Sequence, residues 1–372
     1  MKKGTLCLIG FFFFAAIVVA NPANEKKNFT KGKPAIQSIG VLAFGPDGIL
    51  FIGDSQSATI FAIKLGDQAT NGTNETLNVP DIDEKIAAML GTTTKDIRIH
   101  DLAVNPVSHN AYLSVTRGSG NSAADLLIRV KSDGTIEEVS LENVSYTKAA
   151  ITNPIGKEAK SRRGTSLRTQ AITDIAYADG KVYVAGLSNE EFASSLRVLP
   201  FPFTDQSYSS SLEIYHAAHG RYETNSPIRT FLPYTVNNEP HMLAAYTCTP
   251  LVTFPMSEIK DGKHVKGKTV AELGSGNRPL DMIAYKNNDK DYLLIANSNR
   301  TLMKIDPDDI EKQKMGLTDP VKERNATDGV KYVAISQVGV QQIDNLNSAN
   351  VLVLQRMSDG SLNLRTISNR RL

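Results

Sequence analysis

The sequence predicts an all-β fold, and within that class a β-propeller, most simply one of seven blades. Three observations carry this. Short apolar or alternating runs fill the chain, among them IGVLAF, GILFIGD, ATIFAIKL, DLLIRVK, KVYVAGL, YLLIANS and VLVLQRM. Period-two alternation over such lengths is the signature of a strand. Many runs end in turn chemistry, GPDG, SDG or ADG, where Gly and Asp accept tight backbone conformations. Finally, the chain repeats itself. IGVLAF (39–44), IHDLAV (99–104), ITDIAY (172–177), HMLAAY (241–246), LDMIAY (280–285) and GVQQID (339–344) align without gaps, and each precedes a turn and a second strand-like run.

Strand, turn, strand, turn, strand is one propeller blade, repeated with drift. In this alignment HMLAAY is an inner strand and PLVTF the strand after it. The spacing between copies is uneven, so insertions or an unaligned blade are expected. SLEIYHAAHGRYE with PIRTFLPY (211–234) is the candidate for the extra pair. At roughly 45–50 residues per blade, the length predicts seven. DIDEKIAAMLG (81–91) and DPDDIEKQKMG (306–316) read as helices on connections. Residues 21–35, charged and lacking periodicity, read as a flexible arm, and 36–372 as a single propeller domain. LNLRTIS (362–368) is expected to close the ring beside an N-terminal strand, which removes a free sheet edge.

The first twenty residues read as an export signal. Lys2 and Lys3 precede the apolar run TLCLIGFFFFAAIVVA, with small residues before a cleavage point after Ala20. Removing the two lysines balances the charge, since the whole chain has 41 basic and 39 acidic side chains. A balanced chain has no general electrostatic pull towards nucleic acid or anionic membrane. Cys7 leaves with the signal, so Cys248 is the sole thiol and no internal disulfide forms. The expected compartment is exported, periplasmic or extracellular. Sequons at Asn28, Asn71, Asn74, Asn143, Asn299 and Asn325 give weak support to an adhesion role.

Inner strands line a propeller's channel, so equivalent residues form a rim. Asp101, Asp174 and Asp281 fall there and are the candidate metal ligands, with Ca²⁺ the fitting ion because hard cations take oxygens from several segments. The competing reading is that each Asp accepts backbone N–H bonds at its own strand. HAAH (216–219) looks like a metal pair, yet strand geometry would point its histidines apart and the Glu of HExxH is missing, so ordinary turn histidines are expected. His241 and Cys248 are separated by an extended strand, roughly 23 Å at ~3.3 Å per residue, too far to share an ion. Cys248 itself is expected to sit at a hairpin tip and fill space. No nucleophile elbow, Walker loop, dinucleotide fingerprint, EF-hand or CxxCH motif occurs, so no catalytic residue is assigned and no haem is attached to this chain. Arg162, Arg163, Tyr222, Phe231, Cys248 and Phe254, in long or aromatic-rich loops, are the candidate partner contacts.

The runs FGPDGILFIGD and DIAYADGKVYVAG resemble the secreted NHL and YVTN-type propellers. GLSNEEFASSLR (186–197), AHGRYETNSPIRTFLPY (218–234) and EPHMLAAYTCTPLVTFP (239–255) resemble, more narrowly, the beta subunit of hydrazine synthase of anammox bacteria. That resemblance implies a non-catalytic subunit of a complex joining nitric oxide and ammonium into hydrazine. Haem c would be carried by alpha- and gamma-type partners, and the compartment would be the anammoxosome. The alternative from the residues is a free-standing secreted propeller binding a small ligand or Ca²⁺ at the channel rim, lactonase-like in style.

Overall fold

The computed structural model describes residues 28–69 and 76–372. The expected signal, the first part of the arm and the sequons at Asn71 and Asn74 lie outside these residues. The fold is a β-propeller of six sheets, one blade fewer than the length predicts. Blade 1 is Leu42–Phe44, Ile49–Asp54 and Thr59–Lys64, extended by Val144–Ala150 and then Thr30–Gly32. The end of the expected arm is therefore a paired edge strand, Thr30 opposite Tyr146. Blade 2 is Ile97–Val104, Ala111–Arg117, Ala124–Val130 and Ile136–Glu138. Blade 3 begins with Asp174–Ala178, Lys181–Leu187 and Ser194–Pro200, and continues through Tyr208–His216 to Arg221–Glu223. Blade 4 begins with Ile228–Val236, Glu239–Tyr246 and Pro250–Pro255. Blade 5 begins with Pro279–Asn287 and Lys290–Asn297, and blade 6 is Val340–Asn347, Asn350–Arg356 and Leu362–Ser368.

The seventh blade dissolves for a specific reason. The unaligned pair at 211–234 is not a blade: its first half is the outer edge of blade 3 and its second half is the inner strand of blade 4. HMLAAY is consequently the second strand of its blade and PLVTF the third, one strand later than the repeat alignment implies. Both expected helices are present, as Ile82–Met89 and Pro307–Lys312. Asp306 caps the second through the Asp308 N–H.

Blades do not follow one another around the ring in chain order. Inner strands neighbour in the order 1, 2, 6, 5, 4, 3 and back to 1. After blade 1 the chain crosses to blade 6, where Val79 pairs with Leu364. It then builds blade 2 and returns to add Val144–Ala150 to blade 1. Closure thus uses segments flanking blade 2, and LNLRTIS pairs with Val79 rather than with an N-terminal strand. Six hydrophobic clusters of the described residues fill the six gaps between neighbouring blades. Asp67 locks the crossing. It accepts from Ser108, Asn110, Tyr112 and Arg129, and although burial pushes its carboxyl up, those bonds hold it below the usual range. The long stretch 151–173 is held by two buried arginines. Arg197, 1% exposed, donates to the carbonyls of Thr152, Asn153, Ala171 and Leu187, and Arg168 to those of Ile155 and Gln56.

Candidate metal centre and central pocket

The channel carboxylates are bound to backbone. Asp101 accepts the N–H of Leu102 beside it and that of Leu42 in blade 1, at 2.9 and 2.7 Å. Asp174 does the same with Ile175 and Phe231 of blade 4, and Asp281 with Met282 and Ile343 of blade 6. Asp344, three residues deeper in its strand, accepts from Asn345 and from Val104 of blade 2. Each is a buckle between adjacent inner strands. Burial raises all four; Asp101, with Asp174 and Asp344 adding repulsion, is pushed up to about 8, Asp174 to about 7 and Asp344 to about 6. Asp101, Asp174 and Asp281 share the channel mouth but do not bring three carboxylates within 4.8 Å of one another.

One cluster of the described residues does meet that distance, and it joins two motifs that are far apart in the chain. Tyr208–His216 and Arg221–Glu223 form a hairpin whose turn is Ala217–Gly220. The His219 N–H donates to the His216 carbonyl at 3.0 Å, and Gly220 takes φ 63° to close the turn. This folds the two imidazoles together, ring centroids 3.8 Å apart. Glu223, across the hairpin, pairs with both Nδ1 atoms, at 2.9 Å for His216 and 2.7 Å for His219. Burial pushes the Glu223 carboxyl up, but its bonds to the two histidines outweigh that and hold it well below the usual range. A carboxylate on Nδ1 leaves Nε2 as the ligating nitrogen. His216 is 2% exposed and its Nε2 is buried without a hydrogen-bond partner.

Cys248 arrives from blade 4, on the turn between Glu239–Tyr246 and Pro250–Pro255. Cys248 and Thr249 both take left-handed conformations, φ 66° and 65°. For a β-branched threonine this is strained and needs outside support. The support is the neighbouring loop: the Cys248 N–H donates to the Asn277 carbonyl, and Thr249 Oγ1 to the Gly274 carbonyl. One nitrogen each from His216 and His219 and Cys248 Sγ all lie within 4.8 Å of one another. Tetrahedral zinc at ~2.0–2.3 Å spaces such ligands by roughly 3.5 Å, so a small closure suffices. Beside the cluster, Glu272 accepts the Ala218 N–H with one oxygen while the other is buried and unpaired; burial, with Glu223 nearby, pushes it up to about 7.

Cys248 also borders the central pocket, about 1030 Å³, at the mouth of the channel. β-Bulges aim side chains into it. The register shifts at residues 100, 229 and 280 place His100, Arg229 and Leu280 on the pocket wall. His100 Nε2 contacts Thr116 Oγ1 at 2.6 Å, and that hydroxyl donates to Asp125.

Several sequence expectations change here. The histidines of HAAH do stand at a turn, but His216 is core rather than surface. His241 lies at the opposite end of its strand from Cys248, as its spacing requires, while Cys248 meets other histidines instead. Phe231 and Phe254 are 3% and 0% exposed, inside the cluster between blades 3 and 4, so they are not partner contacts. Arg162, Arg163 and Tyr222 are exposed. No signal in the sequence joined HAAH to TCT, because only the packing of blade 3 on blade 4 does so.

A scan of protein-family models finds no match, and a comparison with curated proteins finds none either. Among solved structures, the chain is similar to an oxidoreductase (glucose dehydrogenase) of Thermus thermophilus, with TM-score 0.34 and 12% identity over 91% of this chain and 100% of that one. A likeness that distant says nothing about chemistry. No helix among the described residues is long and apolar enough to cross a membrane.

Proposed function

We propose that this propeller holds one transition-metal ion on His216, His219 and Cys248 and presents it to a small molecule in the central pocket. The observations that carry the reading are that one nitrogen of each histidine and Cys248 Sγ lie within 4.8 Å of one another, and that His216 Nε2 is buried without a partner. Two imidazoles and a thiolate are the donor set of Zn²⁺ or copper, not of Ca²⁺. Glu223 on both Nδ1 atoms is the outer-shell carboxylate that fixes tautomer and ring orientation in metal-binding histidines. Three protein ligands leave a coordination position for water or substrate, and Cys248 places that position's neighbourhood at the pocket wall. Titration of the metal-stripped chain with Zn²⁺ or Cu²⁺ tests this. One equivalent is expected to bind, raising the melting temperature and shielding Cys248 from thiol reagents. His219→Ala and Cys248→Ser are each expected to weaken binding by about 100-fold or more, as loss of one of three ligands should. Equal binding by wild type and both variants would overturn the proposal.

The hard-cation reading at Asp101, Asp174 and Asp281 has less support, since each carboxylate already accepts two backbone N–H groups. A docking role on haem-carrying subunits, of the hydrazine synthase kind, draws on the exposure of Arg162, Arg163 and Tyr222, the last 58% exposed. Co-purification from the native source tests it: a chain that elutes without a haem protein would count against it.

A further inference from the structure

We infer that the central pocket binds a small oxyanion, a carboxylate or phosphate group, on Arg98, Arg229 and Arg278. The inference names the substrate class for the pocket of the proposed function, and it rests on the pocket's arginines rather than on the metal. All three arginines line the cavity. Their guanidinium groups make no salt bridge and no hydrogen bond among the described residues, whereas Arg129 has Asp67 and Glu137, and Arg168 and Arg197 have carbonyls. Arg229 is the most telling. It sits at a β-bulge of the inner strand and its Nε is buried without a partner; burial and then repulsion from Arg278 lower its pKa, against an attraction from Asp174. Holding two like charges at one pocket wall is unfavourable unless an anion neutralises them. The planar fork of Arg suits two oxygens of a carboxylate or phosphate.

Asp174 attracts Arg229 and offsets part of this charge, but no carboxylate forms a salt bridge with any of the three arginines among the described residues. Asp101, Asp174 and Asp281 line the same pocket with both oxygens bound to backbone N–H groups, and burial raises the pKa of each. Asp125 is engaged by the Ile39 N–H and the Thr116 hydroxyl. His100, at the equivalent bulge of blade 2, adds a ring that can accept or donate a proton to the bound molecule.

Calorimetric titration of the metal-stripped full chain with inorganic phosphate, and separately with succinate, tests the inference and shows which oxyanion is preferred. Saturable binding of one or both is expected. Arg229→Gln and Arg278→Gln should each weaken it by about tenfold or more, the loss of one charge-assisted contact. Arg98→Gln, an exposed position, gives the same readout should Arg229→Gln not fold, and Arg162→Gln should leave binding unchanged. Binding retained by His219→Ala would support the arginine site even if the metal reading fails. Absence of binding by the wild type, indifference to all three pocket substitutions, or binding only in the metal-loaded form would overturn it.

Discussion

The channel carboxylates and the histidine–cysteine cluster are both groups of ligand-type side chains, brought together from separate blades, and they end up with opposite roles. Asp101, Asp174, Asp281 and Asp344 each accept a backbone N–H from their own strand and another from the next blade. Both oxygens of each carboxylate are engaged by the fold. At the outer hairpin of blade 3, Glu223 occupies one nitrogen of each histidine, and His216 is left with a buried, unpaired Nε2 in the cluster with Cys248. Residue type alone makes the two groups look alike. Unused bonding capacity is what separates a buckle from a binding site, because a buried polar atom left unpaired costs about 1–3 kcal/mol unless a ligand completes it.

The contrast can be broken most strongly at Glu223. Glu223→Gln keeps the shape of the hairpin but weakens the hold on both rings. Metal affinity is expected to fall about 10–100-fold, the usual cost of losing an outer-shell carboxylate, with a melting temperature close to wild type after metal removal. A loss confined to stability, with affinity intact, would make Glu223 a fold residue like the aspartates.

The converse substitution is Asp174→Ala. It strips the acceptor from the Phe231 N–H between blades 3 and 4, and should cost about 1–3 kcal/mol in urea unfolding. Metal stoichiometry should stay at that of the wild type. If Asp174→Ala removed the metal while sparing stability, the hard-cation site in the channel would be restored.

A smaller effect separates the regions by pH. An aspartate whose folded pKa lies above its unfolded value holds its proton longer in the folded state. Its contribution is full below the unfolded value near 3.8 and is lost as pH rises through the folded one. With Asp344, Asp174 and Asp101 at about 6, 7 and 8, the melting temperature of the metal-stripped chain should decline across that window. Asp67, lowered by its bonds, acts oppositely and loses stability only in acid. Asp101→Asn should flatten the upper part of the decline. A profile unchanged by Asp101→Asn would show that this carboxyl does not titrate there.

Much of the architecture was legible. The repeat of an inner-strand hexamer marked five inner strands at the right residues, since alternation and turn chemistry act locally. Blade 4 was misassigned by one strand because IRTFLPY lacks the clean alternation of its counterparts, its bulge at residue 229 and Pro233 breaking the pattern. That slip left 211–234 free to stand for the seventh blade that the length predicts, whereas the extra length lies in insertions such as 151–173. Of the site, the aspartates were visible as a recurring residue type, but their partners, N–H groups one blade away, were not.

Sequence by itself determined the strands, their turns, the propeller class and the separation of His241 from Cys248, all of which follow from backbone chemistry within a few residues. Tertiary structure decided the ring order, in which blade 2 sits between blades 1 and 6, and it decided the meeting of His216, His219 and Cys248. Both depend on which sheet faces pack together. That is set by burial summed over whole blades, and no local pattern encodes it.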